Sequence, residues 1–270
     1  MIKRILQGTW LGLVLLFIYL PILLLAVYSF TDSRNIGESL HFSLHNYRTL
    51  FSLPEVKEMI IGTFLLALVV GVLSTILGTM GAIGAFYSTK KVKSMLHILN
   101  QIPVVNADVV TGFSICILLV VFFKVDRDTY LPLIIGQCTL CAPFVYLQIL
   151  PRLKTMDPHL FEAAMDLGAS PLQAMVSVVL RELIPGMVGG FVTAITLSLD
   201  DYFITTYTKP AVFDTISTYT VNATKGSQTT VRTALWALST IIFFAVVILS
   251  FAANRDIGHT QRQHNRKRGG

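Results

Sequence analysis

Residues 161–185 read FEAAMDLGASPLQAMVSVVLRELIP, in a chain that is otherwise a series of apolar runs. Just upstream, Asp157-Pro158 supplies an N-cap oxygen followed by Pro in the first helical position. The helix this predicts runs through HLFEAAMDL and stops at Gly168, a residue type suited to a left-handed C-terminal cap. Ser170-Pro171 then opens a second helix, and Gln173, three residues after Ser170, completes a capping box. The stretch is therefore expected to form helix, tight break, helix at a membrane surface. Ala163, Ala164 and Leu167 share one small, apolar face, with the carboxylates of Glu162 and Asp166 four residues apart beside it. An amphipathic helix that lies on lipid carries Lys and Arg on its polar face. This one carries Glu and Asp, which favours insertion into a groove on another protein.

The setting is a membrane. The 270 residues are 53% hydrophobic and 13% charged, and the mean hydropathy is +0.67. Soluble domains carry about 25% charged residues, and several apolar runs here approach the ~20 residues that cross a bilayer. Six spans are expected, at about 9–30, 59–87, 98–123, 130–150, 185–207 and 231–253. Together they make one membrane domain over 1–253, with the Glu-Ala-Ala segment at 151–184 and a basic tail at 254–270. The positive start resembles a signal peptide, but its apolar run is too long and lacks a small-residue cleavage site, so it is read as an uncleaved first span.

The net charge of +6 arises mostly between and beyond the spans. That points to topology and lipid headgroups rather than nucleic acid. An even number of spans puts both termini on one side, and that side collects most of the 21 Lys and Arg residues, including the KKVK turn. Both termini and the Glu-Ala-Ala segment are accordingly expected in the cytoplasm. Cys116, Cys138 and Cys141 lie in apolar runs without further ligands, and read as small membrane residues rather than a metal or redox site. A membrane-embedded enzyme would need paired His and Asp facing a cavity. The six histidines fall instead in loops, the Glu-Ala-Ala segment or the tail. Ala67, Gly71, Ser74, Gly78, Gly81 and Ala85, three or four apart, form a small-residue stripe that lets another helix approach the second span.

EAAMDLG resembles the signature loop of binding-protein-dependent ABC importer permeases: Glu-Ala-Ala, three residues, Gly, and later Ile-x-Leu-Pro. Glu162, Ala163, Ala164 and Gly168 match at the family spacing, and Val178 and Leu180 stand where Ile and Leu are expected. Arg181 replaces the final Pro, with Pro185 one turn later. SLHNYRTLF before the second span is similar to the family's T-L-x-N-Y segment. LSLDDYFITTYT and NADVVTGFSICILL resemble stretches of the spermidine/putrescine permeases, C-type subunit. The resemblance covers nearly the whole chain. It implies an all-α integral membrane protein with the type I ABC importer permease fold, six spans and a cytoplasmic coupling helix, in a bacterial inner membrane.

It further implies half of a translocation pathway, shared with a second homologous permease. A soluble extracytoplasmic polyamine-binding protein would deliver cargo, and an ATPase dimer would supply energy. No G-x-x-x-x-G-K-[ST] loop occurs in the sequence, so ATP and Mg are assigned to the partner ATPase and no cofactor or metal to this chain. The coupling helix would comprise Glu162, Ala163, Ala164, Asp166, Leu167 and Gly168. Asp108, Asp200 and Asp201 are acids in or beside spans, where a charge costs about 2.5–3.5 kcal/mol on insertion scales. For a polycation they would line the pathway, with cation–π help from Tyr202, Phe203 and Tyr207. The competing reading has them satisfying backbone groups at helix ends. One of the adjacent aspartates must turn away, since neighbours lie about 100° apart on a helix. Another small solute or a metal cation is the alternative cargo.

Overall fold

The computed structural model describes residues 2–31, 41–52, 54–157, 159–225, 233, 235–241, 243–244 and 247. Among the described residues the structure is helical, apart from one isolated antiparallel bridge between Thr31 and Phe42. Among the described residues four helices are long and apolar enough to cross a membrane: Gly8–Ser29, Val56–Tyr87, Leu131–Thr155 and Pro171–Asp200. A fifth arises if the bent pair Lys90–Val105 and Asp108–Phe122 counts as one span. The sixth expected span and the tail lie largely or wholly outside the described residues, although those described from 233 onward are helical. The chain divides into two compact units, Met1–Lys57 with Thr220–Gly270, and Glu58–Tyr219.

In the first unit, α1 (Ile2–Ser29) runs through Pro21 and ends against α2 (His45–Ser52). Helix ends leave carbonyls without intrahelical partners. Asn46 supplies donors there: its buried amide bonds the carbonyls of Ser29, at 3.3 Å, and Thr31, at 2.8 Å. The Tyr47 hydroxyl lies 2.8 Å from the Ser29 hydroxyl, and its ring packs on Phe30 with centroids 5.0 Å apart. The Asn-Tyr pair of the SLHNYRTLF motif thus fastens the exit of the first span.

The second unit is built on α3 (Pro54–Tyr87, mostly in this unit), α6 (Leu131–Thr155) and α9 (Leu180–Asp200). Its core joins Leu66 and Val70 of α3, Leu133, Cys141, Val145, Ile149 and Leu153 of α6, and Leu183 and Ala194 of α9. Lipid tails are as apolar as leucine, so helices here associate by close packing. The expected small-residue stripe does that work: Ala67, Gly71, Ser74, Gly78 and Ala85 are buried, and only Gly81 is exposed. A Cβ at Gly78 would lie 2.7 Å from Val145, and one at Gly190 of α9 would lie 2.8 Å from the same side chain.

Two expectations about spans change. The third span is not one helix over 98–123 but α4 (Lys90–Val105) and α5 (Asp108–Cys116), bent by 103° and continued by a π-helical turn at Ile117–Phe122. Pro103 has no N–H to continue α4, and Asn106 and Ala107 are extended, at ψ 148° and 134°. His97, expected in a loop, lies on α4, 3.3 Å from the Gln101 amide. The fifth span begins at Pro171 rather than 185. Helix α8 (Pro171–Ala174), a π turn at Met175–Val179 and α9 form one continuous run that stops at Asp200, short of 207. Arg181 keeps the N–H that the family proline would remove, so the helix passes through this point. After α9, α10 (Phe203–Thr208) and α11 (Ile216–Lys225) follow as separate helices.

Replacing Gly78 with Leu drives a side chain into Val145, at an overpacking cost of about 1–3 kcal/mol or more. The detergent-solubilised protein should melt several degrees lower. An unchanged melting temperature would contradict the close α3–α6 packing.

Candidate functional site

The Phe161–Pro185 stretch folds as its caps dictate. An Asp157 carboxylate oxygen accepts the His159 N–H at 3.0 Å, opening α7 (His159–Asp166). Gly168 has φ +92°, the left-handed region that costs other residues strain. Its N–H bonds the Met165 carbonyl at 2.9 Å, and the Ala169 N–H bonds the Ala164 carbonyl at 3.1 Å. These two bonds make a Schellman closure. Two residues on, the Ser170 N–H donates to Gln173 Oε1 at 2.9 Å, and the Gln173 N–H donates to Ser170 Oγ at 3.4 Å, the expected capping box.

One residue that spacing did not single out anchors this elbow. Phe161 packs against the core, and its ring lies 5.8 Å from that of Tyr87 at the end of α3. The opposite face of α7 carries Glu162, Ala163, Asp166 and Leu167, all exposed, with Leu167 at 90%. Ala164 is half-buried, turned partly toward the protein rather than sharing the fully open face expected for it. Across the elbow, Leu172 and Val176 extend the exposed apolar surface. A charged and apolar projection on a short, rigid helix results, fixed to the core by one aromatic side chain.

At the other end of the second unit, α10 lies between α5 and α6. Gly112 and Gly136 make room for it: a Cβ at Gly112 would sit 2.9 Å from Ile204 Cα, and one at Gly136 2.8 Å from Ile204 Cγ2. Tyr207 meets Phe113 edge-on at 5.8 Å, and Tyr202 meets Phe203 at 5.2 Å. The following loop is pinned by Lys209, which bonds Asp214 at 3.0 Å and the Phe213 carbonyl at 2.7 Å. The Ile216 N–H donates to Thr63 Oγ1 at 3.0 Å.

The three acids have different surroundings. Asp108 is exposed in the first turn of α5, just after the α4–α5 break. It lies one turn before Gly112, on the side of α5 that meets α10. Asn100 donates to the Pro143 carbonyl at 3.3 Å, which sets this part of the bent pair against the middle of α6. Asp200 is exposed, and its backbone carbonyl accepts the Ser217 hydroxyl at 3.2 Å. Asp201 is buried. Its carboxylate accepts the N–H groups of Ile204, at 3.2 Å, and Thr205, at 2.8 Å, the Thr205 hydroxyl at 2.6 Å, and the Gln137 amide at 3.4 Å. The adjacent aspartates differ in surroundings, but not through the 100° spacing of a helix: α9 ends at Asp200, and Asp201 is extended. Phe203 is exposed, while Tyr202 and Tyr207 are half-buried. Gln137 and Thr205 were not anticipated, although a Gln in an otherwise apolar run was a visible signal. Among the described residues no three His, Cys, Asp or Glu side chains gather to hold a metal ion.

Residues 74–258 match the model of the binding-protein-dependent transport system inner membrane component. The chain belongs to this family. It is the transmembrane permease component of an ABC importer, an inner-membrane protein rather than the energy-supplying part of the system. The spermidine/putrescine transport system permease protein PotC of Haemophilus influenzae is 27% identical to this permease over 264 residues, 96% of this chain and 100% of its own length. The putrescine transport system permease protein PotI of Escherichia coli is 28% identical over 260 residues, 93% and 90% of the two chains. Among solved structures, a bacterial alginate ABC transporter in complex with a periplasmic protein carrying an alginate pentasaccharide matches at TM-score 0.70 and 16% identity. That match covers 95% of this chain and 96% of its counterpart. The structural likeness establishes the fold.

A Gly168→Ala permease should keep its fold but lose local order, because a non-glycine residue at this φ costs about 1–2 kcal/mol. No neighbouring atom lies near the added methyl group, so the effect is one of backbone strain. Hydrogen exchange across residues 163–170 should quicken about tenfold. Unaltered exchange would show that the elbow does not depend on the left-handed glycine.

Proposed function

We propose that this permease imports polyamines of the spermidine and putrescine class, together with a second homologous permease, an ATPase dimer that binds ATP and Mg, and a soluble extracytoplasmic binding protein. The observation that carries this reading is chain-long similarity to permeases named for those cargoes, joined to the placement of exposed carboxylates around α10. Among the described residues neither Asp108 nor Asp200 is paired with Lys or Arg, which leaves both available to amines. A helix broken beside the middle of its neighbour, as at Asn106–Ala107, exposes backbone carbonyls where transporters hold cations. Tyr202, Phe203 and Tyr207 add ring faces for cation–π contact. Asp201 contributes from beneath, by holding the α9–α10 turn.

With six spans both termini lie on one side, and the excess of Lys and Arg there assigns it to the cytoplasm. The Tyr87–Phe161 contact supports this orientation, because it groups the end of α3 with α7, and the basic KKVK turn starts three residues after Tyr87. Glu162, Ala163, Ala164, Asp166, Leu167 and Gly168 form the coupling helix, seated in a cleft of one ATPase subunit. Closure of the ATPase dimer pushes this elbow, and the continuous Pro171–Asp200 helix carries the displacement toward Asp200 and α10.

Three measurements test the proposal. Glu162→Lys should cut co-purification of the ATPase several-fold while the permease still inserts; an intact, transporting complex would sink the coupling role. Asp108→Asn should lower uptake of labelled spermidine by vesicles containing the full complex by about tenfold, the scale of one charge-assisted contact. Wild-type uptake at all concentrations would remove Asp108 from the pathway. Competition by ferric ion but not by putrescine would favour a metal cargo.

A further inference from the structure

Ser198, Gln137, Thr205 and Asp201 form a closed hydrogen-bonded cluster linking α9, α6 and α10. Gln137 and Thr205 are 0% exposed, Ser198 1% and Asp201 6%. The donors all run one way. The Ser198 hydroxyl donates to Gln137 Oε1, and the Gln137 amide donates to Thr205 Oγ1 at 2.8 Å and to Asp201 Oδ2 at 3.4 Å. Thr205 then donates its own hydroxyl to Asp201. With two backbone N–H groups added, the Asp201 carboxylate accepts four hydrogen bonds, three at Oδ2 and one at Oδ1. All four come from the scaffold, and the side chain is buried.

The cluster lies at the point where α9 ends. Asp201 itself is extended, at φ −66° and ψ 118°, and its side chain takes up the first N–H groups of α10. The turn between the two helices is therefore held by the Asp201 side chain, and that side chain is held by Gln137 from a third helix. Asp200 and Tyr202 are the residues on either side of this anchored point.

We infer that Gln137 is a positioning residue of the translocation pathway: through Thr205 and Asp201 it sets the angle at which α9 passes into α10, and with it the direction in which Asp200 and Tyr202 face. This rests on the pathway role proposed above for Asp200. It separates the two adjacent aspartates by task, one toward cargo and one toward the scaffold. A leucine at position 137 would pack comparably well but leave the Ser198 hydroxyl without its acceptor, and one lone pair each on Thr205 Oγ1 and Asp201 Oδ2 without a donor, in an apolar interior where such groups are costly.

The test uses the full transport complex in proteoliposomes, with labelled spermidine and putrescine as probes. Thr205→Val keeps the shape of the side chain and removes its hydroxyl; Thr205→Ser keeps the hydroxyl. Thr205→Val should assemble in normal amount and raise KM about five- to tenfold, the scale of one or two buried hydrogen bonds, whereas Thr205→Ser should stay near the unmodified value. In parallel, an Asp200→Cys variant should change its rate of labelling by a membrane-impermeant maleimide several-fold when Thr205→Val is added. Gln137→Leu provides the same pair of readouts should Thr205→Val fail to assemble. Unchanged KM and unchanged labelling would overturn the inference, as would a loss confined to the quantity of complex. If no polyamine is transported by the unmodified complex, the cargo reading fails, and the labelling rate alone decides the role of Gln137.

Discussion

Val145 is the side chain around which the second unit closes. It is fully buried on α6, and it fills the space left by Gly78 on α3 and Gly190 on α9. In water, burial of any large apolar residue would favour such an assembly. In lipid the same residue gains nothing by leaving the acyl chains, so only the closeness of the fit distinguishes helix from solvent. Three helices can meet this closely only because two of them present no Cβ at the contact. Cys141, one turn earlier on α6, donates its thiol to the Ala194 carbonyl at 3.5 Å, which adds a polar tie along the same seam. Cys138 and Cys141 both lie on one small buried face of α6.

Four places where a helix starts or ends in this framework have a named residue that answers the missing backbone bonds. Asn46 serves the end of α1, Gly168 the end of α7, Ser170 and Gln173 the start of α8, and Asp201 the start of α10. In an apolar medium an unsatisfied N–H or carbonyl costs several kcal/mol, so irregular backbone persists only where a side chain answers it. The α4–α5 break is more open than these places. There Asn106 donates to Thr111 Oγ1 at 3.0 Å, and Asp108 remains free of such duties. Breaks that are answered serve as anchors, whereas the α4–α5 break leaves the Asp108 carboxylate exposed.

The elbow at Gly168 was legible in the sequence down to single residues, because caps are local: a left-handed glycine and a Ser-x-x-Gln box require only a few consecutive positions. The small-residue stripe of α3 was legible for the same reason, as a periodicity within one helix. The bend of the third span was only half legible. Pro103 announced a kink, but 103° depends on the extended residues after it and on the Asn100 contact with α6. Phe161 gave no signal and Gln137 only that of an amide in an apolar run, since each acquires its meaning from residues far away in the chain.

By itself, the sequence determined the membrane class, the family, and the helix–elbow–helix around Gly168. Hydropathy, motif spacing and capping chemistry are properties of short stretches, and they survive without knowledge of the fold. The tertiary structure decided what each acid faces. Asp200 and Asp201 are neighbours with the same side chain, and nothing local distinguishes them. Packing of α6 and α10 against the end of α9 brings Gln137 and Thr205 to one carboxylate and leaves the other open, because a buried charge is retained only where donors from several helices converge on it.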